Sequence, residues 1–358
     1  MPKILFVLGT RPEAIKLCPL IKEAIGKLGK QQVRVVHTGQ HMDLAKDVFD
    51  VFNVFPDVSL NLMKENQDLV ELSARIALGL KNVLISEKPD FVIVQGDTTS
   101  AFIGAYVAHL AKIEVVHVEA GLRSGDIWAP FPEESNRKMI AAIAQYHFAP
   151  TKSAQQTLEG ERVLGKVWCV GNTGIDALLQ TAEHLKFSTK PKHILLTIHR
   201  RENFGEPLQH ILEAVSELLK RDPEITFFVP VHPNPNVFEF IHQKFDTEPR
   251  VVLSPPLSYP QMIEVMQKAW LILSDSGGIQ EEAPSLNTPV LVLRERTERP
   301  EAIEAGTAIL VGSSKDQIVD TVLRLLATPS EYDAMITTEN PFGDGKASQR
   351  IIEILCNE

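Results

Sequence analysis

The chain is poor in cysteine, in runs of basic residues and in long apolar stretches, and each shortage removes a class of function. Its three cysteines, Cys18, Cys169 and Cys356, are far apart and include no Cys-x-x-Cys pair. Neither a disulfide framework nor a zinc cluster is suggested, and buried structural thiols are expected. The net charge is −10 at pH 7, with no basic run. That argues against a broad nucleic-acid footprint or attachment to an anionic membrane, although a local basic pocket for phosphate remains open. No apolar run approaches the roughly 20 residues that span a bilayer. Met1 leads directly into the apolar run at 4–8, which is too short for a secretory segment and lacks a small-residue cleavage pattern. A cytoplasmic location is the expectation. Also missing are a Walker loop, a Gly-x-Gly-x-x-Gly fingerprint and any metal-ligand spacing.

What is present is ordinary globular material in unusual order. At 358 residues, 44% hydrophobic and 23% charged, the chain is long enough for two α/β domains. Apolar runs at 4–8, 33–37, 91–94, 115–118, 194–198, 225–229, 271–273 and 290–293 mostly lack period-two alternation, so they read as strands covered on both faces. Amphipathic stretches at 14–28, 69–86, 207–219 and 261–269 lie between them. Strand–helix–strand alternation predicts parallel sheets with right-handed crossovers. The turn-rich Gly171-Asn172-Thr173-Gly174 marks a boundary, which gives domains at 1–170 and 171–344. The amphipathic end of the chain, 345–358, is expected to pack back on the first domain.

Several strand ends carry chemistry. Gly9-Thr10-Arg11-Pro12-Glu13-Ala14-Ile15-Lys16 combines a tight turn, a helix cap and two cations, the makings of an anion site. In Gln95-Gly96-Asp97-Thr98-Thr99, Asp97 is either the cap of the next helix or a site carboxylate. His117-Val118-Glu119 ends another strand in an acid, and Phe131-Pro132-Glu133-Glu134 opens a helix with two. Acids in a first helical turn complement the macrodipole. Three of them, Asp97, Glu119 and Glu133, aimed at one crevice would raise one another's proton affinity and suit proton transfer at carbon.

The second half repeats the pattern with cations. His199-Arg200-Arg201 and His232-Pro233-Asn234-Pro235 follow strands. In Ser274-Asp275-Ser276-Gly277-Gly278-Ile279-Gln280-Glu281-Glu282 a strand turns through Ser-Gly-Gly into a helix whose first amides can approach a diphosphate. Glu282, one turn on, suits ribose hydroxyls. One of Arg294, Arg296 and Arg299 is expected to supply a cation to the phosphates.

Together these stretches resemble the non-hydrolysing UDP-N-acetylglucosamine 2-epimerases. The matches at 9–16, 38–41, 95–99, 117–124, 132–137, 199–205, 232–235, 274–284 and 297–302 occur in the family's order along essentially the whole chain. The resemblance implies two Rossmann-like domains of glycosyltransferase-B type, with the active site in a cleft between them. It implies that Ser276, Gly277 and Gly278 bind phosphates, that Glu282 holds ribose, that Arg11 and Arg299 neutralise the diphosphate, and that Lys16 belongs to the site. Asp97, Glu119 and Glu133 would share the proton transfers, while His199 contacts phosphate and stabilises the leaving group. The implied reaction inverts C2 of UDP-N-acetylglucosamine by elimination of UDP to 2-acetamidoglucal and re-addition. No cofactor or metal is implied, the ligands are the UDP-sugar and UDP, and a homodimer is common. Gln40, His41, Arg201 and His232 correspond to a second UDP-N-acetylglucosamine site in many bacterial members, where Asp43 here replaces a longer polar residue. A UDP-sugar transferase of the same architecture is the competing expectation, as is a relative that hydrolyses the intermediate or takes another sugar.

Overall fold

The structure, a computed structural model, describes residues 1–39, 42–62, 68–183 and 192–358. It divides into two compact units, residues 1–180 with 342–358, and residues 181–341.

The first unit is built on a seven-stranded sheet of β1 (Ile4–Leu8), β2 (Val33–His37), β3 (Val58–Ser59), β4 (Phe91–Gln95), β5 (Glu114–Val118), β6 (Tyr146–Ala149) and β7 (Lys166–Cys169). Their order is β3-β2-β1-β4-β5-β6-β7, and every pairing is parallel. The second unit has six parallel strands, β8 (His193–Thr197), β9 (Thr226–Pro230), β10 (Val251–Ser254), β11 (Leu271–Ser274), β12 (Val290–Val292) and β13 (Ala308–Leu310), ordered β10-β9-β8-β11-β12-β13. Continuous apolar runs become central strands because both faces are covered: β1 is buried along its whole length, and so is β4.

Each sheet reverses its strand order once, between β1 and β4 in the first and between β8 and β11 in the second. At such a switch point neighbouring crossovers diverge and leave a crevice beyond the carboxyl ends of the strands. The helix Arg11–Leu28 starts there with a capping box of Thr10 and Glu13 and a proline in its first turn. Gly9 is required at the preceding bend, since a Cβ would fall 2.3 Å from Ser100 Oγ and 2.4 Å from Thr38 Oγ1.

The sequence boundary at 170/171 differs from the division at 180/181 for a physical reason. Residues 173 to 182 form a helix, Thr173–Ala182, whose Asp176 caps a distant one. The carboxylate accepts from the amides of Ser348 (2.7 Å) and Ala347 (3.2 Å), and so secures the terminal helix Ala347–Asn357. Asn172 N also donates to Phe342 O at 2.8 Å. Of the three cysteines expected to be buried, one is and two are not. Cys18 is buried, with burial pushing its thiol up to about 12. Cys169 ends an edge strand and is exposed, while Cys356 is half-buried. No helix among the described residues is long and apolar enough to cross a membrane.

Candidate active site

At the first switch point the loops after β1, β4 and β5 are tied together by buried polar contacts. Glu13 is buried and accepts from Gly9 N (3.0 Å), Thr10 N (2.7 Å), Thr10 Oγ1 (2.7 Å) and Thr98 Oγ1 (2.7 Å). Burial pushes its carboxyl above the usual range, against the pull of those four donors. Thr98, not Asp97, caps the helix Thr99–Leu110 by accepting from Ala101 N. Asp97 is therefore released from the capping role that the sequence left open. Its carboxylate lies 2.5 Å from Arg137 Nη2, and its carbonyl accepts from Asn136 Nδ2 at 2.8 Å.

Glu119 follows β5 in a left-handed backbone conformation, φ 63°. For a side chain with a Cβ this costs about 1–2 kcal/mol, a strain that clusters at functional sites. Lys16 Nζ lies 2.6 Å from its Oε1, and Gln95 Nε2 donates to its Oε2. His117, buried beneath this corner and held neutral by burial at about 3, donates from Nε2 to Gly96 O at 2.8 Å.

The helix Glu133–Ile143 begins with two acids that have separate roles. Glu134 is fully buried and accepts from Ser124 N (2.9 Å), Gly125 N (3.4 Å) and Arg137 (3.1 Å), which anchors the irregular segment before it. Among the described residues Glu133 Oε2 is buried with no hydrogen-bond partner. An acceptor left in that state is costly unless a ligand or solvent completes it. Asp97, Glu119 and Glu133 thus share one end of the sheet. Asp97 is paired with Arg137 and Glu119 with Lys16. Arg11, expected at the phosphates, has its guanidinium 3.0 Å from Asp47.

In the second unit the switch point is organised by Asp275, which sequence reading passed over. Fully buried at the end of β11, it accepts from the His199 ring at 2.7 Å and from the amides of His199 and Arg200. The helix Gly277–Glu282 starts just beyond. A Cβ on Gly277 would lie 3.8 Å from guanidinium nitrogens of both Arg200 and Arg299, and one on Gly278 would meet nothing closer than 3.9 Å. Neither glycine has a positive φ, so neither turn geometry nor internal crowding demands it. Open space between two guanidiniums and a helix start is what an anion requires.

Arg299 Nε also donates to Glu281. Arg294 is paired with Glu202 (2.5 Å) and Glu298 (3.1 and 3.2 Å), and Arg200 lies 3.7 Å from Glu298. Arg296 is exposed. Glu282 is half-buried at the end of the short helix, and Ser276 precedes it as N-cap. The His232 ring centroid is 6.4 Å from that of His199, and Arg201 lies exposed in the same loop cluster. Gln40 and His41 lie outside the described residues, as does the side chain of Asp43.

Two parallel α/β units, each with charged and polar groups gathered at its switch point, are the two Rossmann-like units of the glycosyltransferase-B class. The UDP-N-acetylglucosamine 2-epimerase family model matches residues 23–356. The chain belongs to that family. It is 44% identical over 371 residues to the UDP-N-acetylglucosamine 2-epimerase of Escherichia coli K12, covering 99% of this chain and 98% of that one. The Campylobacter jejuni enzyme of the same name is 43% identical over 372 residues, covering 99% and 97%. Among solved structures, UDP-GlcNAc 2-epimerase from Neisseria meningitidis bound to UDP-GlcNAc superimposes with a TM-score of 0.90 at 42% identity, covering 99% of this chain and 100% of that one. The Methanocaldococcus jannaschii enzyme in complex with UDP-GlcNAc and UDP gives 0.82 at 36% identity, with coverage of 99% and 100%.

Proposed function

We propose that the protein interconverts UDP-N-acetylglucosamine and UDP-N-acetylmannosamine without releasing free sugar. The observation that carries this reading is the set of three acids, Asp97, Glu119 and Glu133, at one sheet end. One carboxylate takes the C2 proton, the C1–O bond to the diphosphate breaks, and a C1=C2 double bond forms in 2-acetamidoglucal. UDP oxygen then re-adds to C1 while a carboxylic acid delivers a proton to the opposite face of C2. Arg137 and Lys16 keep Asp97 and Glu119 in place. Glu133 Oε2 has its acceptor capacity to spare for substrate.

Charge that develops on the departing diphosphate is met by the amides of Gly277 and Gly278, by Arg200 and Arg299, and by the His199 ring. Ser276 adds a hydroxyl at the phosphates and Glu282 holds the ribose. Arg11, which the family resemblance assigns to neutralising the diphosphate, is held by Asp47 in the first unit. His232 and Arg201, beside His199, extend the binding face toward a second UDP-sugar. A sugar transferase accounts for the UDP site but leaves the three acids without a shared task.

The reaction is tested in heavy water with UDP-N-acetylglucosamine as substrate, followed by proton NMR. Deuterium should appear at C2 as UDP-N-acetylmannosamine accumulates. Product without deuterium, or free N-acetylmannosamine formed in step with UDP, overturns the reading. We also propose a homodimer, formed through the face of the helices Leu69–Glu87 and Thr99–Leu110. Leu78, Ile85 and Leu110 are 67%, 61% and 62% exposed there, beside an apolar hollow of about 750 Å³.

A further inference from the structure

Asp275 makes more contacts at the second switch point than a strand-end residue needs. Its side chain is 0% exposed, and Oδ1 lies 2.7 Å from His199 Nδ1. The same carboxylate accepts from His199 N (3.2 and 3.0 Å), Arg200 N (2.9 Å) and Asn203 Nδ2 (3.0 Å). Asn203 donates in turn to Leu293 O at 3.0 Å, which ties the loop to the end of β12. Every partner of Asp275 is a donor. A carboxylate is the one side chain of this size that can accept on both oxygens at once, and asparagine would turn an N–H toward other N–H groups. Burial alone pushes the Asp275 carboxyl up. The His199 ring, the Arg200 amide and Asn203 outweigh it and hold the group below the usual carboxylate range, as an anion.

An anion that only accepts requires hydrogen on His199 Nδ1. The other ring nitrogen, Nε2, is then the one left for a ligand, on a ring 41% exposed. We propose that Asp275 is a positioning residue for His199, fixing the ring's orientation and holding Nδ1–H, so that Nε2–H of the imidazolium is the donor offered to the substrate's diphosphate. The same carboxylate sets the Arg200 backbone and so places that guanidinium beside Gly277. This proposal rests on the diphosphate reading of the second unit. Asp275 itself touches no substrate and acts through its neighbours.

The test is a double-mutant cycle of Asp275→Asn and His199→Gln, read in kcat and in UDP affinity by calorimetry. Asp275→Asn should lower kcat by about 100-fold, and the double variant should fall within about 3-fold of His199→Gln alone. If the two losses multiply, or if Asp275→Asn turns over like the wild type, the proposal is overturned. A second readout needs no folded Asp275 variant. In wild-type protein with ¹⁵N-labelled histidine, the His199 ring (assigned by its disappearance in His199→Gln) should carry a hydrogen on Nδ1, with a second on Nε2 when UDP is bound. Hydrogen on Nε2 with Nδ1 bare overturns the proposal. The two readings fail separately: lack of C2 exchange removes the epimerase reaction, while the UDP cycle and the ring spectrum still decide Asp275.

Discussion

Arg137 Nη2 stands 2.5 Å from Asp97 Oδ2, and the same guanidinium lies 3.1 Å from the buried Glu134. One side chain thus joins a carboxylate assigned to chemistry to a carboxylate that holds the loop. Replacing Arg137 with Met should lower kcat by about 10- to 100-fold and leave the KM for the UDP-sugar within a few-fold, because the nucleotide contacts are elsewhere. Steady-state kinetics decide it, and an effect confined to KM would contradict the assignment.

Gly277 is kept open without structural need. A Cβ there would meet nothing closer than 3.8 Å, and alanine in a helix is favoured over glycine by up to about 1 kcal/mol. Gly277→Ala should melt at the same temperature or slightly above, yet bind UDP at least about 10-fold more weakly. Calorimetric titration beside a thermal melt separates the two effects.

Two buried histidines on adjacent strands make the first unit sensitive to mild acid. Burial lowers His117 to about 3 and His147 to about 4, from an ordinary 6.5. The folded state keeps both neutral while the unfolded chain takes up their protons, so stability present above about pH 6.5 is lost as pH falls toward about 4. The lowered carboxylates, Asp275 and Glu134 among them, act only below the ordinary acid range. In the interval between pH 6.5 and 5 the histidines are opposed only by the raised carboxyls of Glu13 and Asp176, which gain stability as pH falls, so removing a histidine isolates its share. Denaturant titrations across it should show falling stability in wild type and a flatter profile in His147→Leu.

Asp176 accepts from two amides at the start of the terminal helix. Its replacement by Ala removes that cap and should cost about 1–2 kcal/mol. Hydrogen exchange should rise first in Ala347–Asn357. Unchanged protection there would show that apolar packing alone retains the helix.

The exposed apolar face on the first unit predicts an assembly change. Leu78→Asp combined with Leu110→Asp places charge where both side chains are more than 60% exposed, so folding should survive. Light scattering should move from dimer to monomer, and a wild type that is monomeric at micromolar concentration would refute the interface.

Central strands were legible because burial on both faces writes itself as an unbroken apolar run, as in β1 and β11. β6 was not, since His147 interrupts Tyr146–Ala149. β3 has two residues and β13 three, too few for any period to register. Asp97, Glu119, Glu133 and His199 stand out in sequence as polar groups at strand ends. Their pairings do not: Arg137 looks like an ordinary surface cation on a helix, and Lys16 reads as a cation for an anion, until the fold brings them to Asp97 and Glu119. Asp275 was in plain view within Ser274-Asp275-Ser276, but its bonds to residues 72 to 76 positions earlier leave no local trace.

The return of Ala347–Asn357 to the helix Arg11–Leu28 reverses the usual timetable of synthesis. A ribosome finishes every residue of the second unit before it delivers the last piece of the first. The later half of the message can therefore complete its core while the earlier half still waits on the tunnel. During that wait the docking surface for the tail stands uncovered, and chaperones have a reason to attend the amino-terminal half until residues 347–357 have emerged.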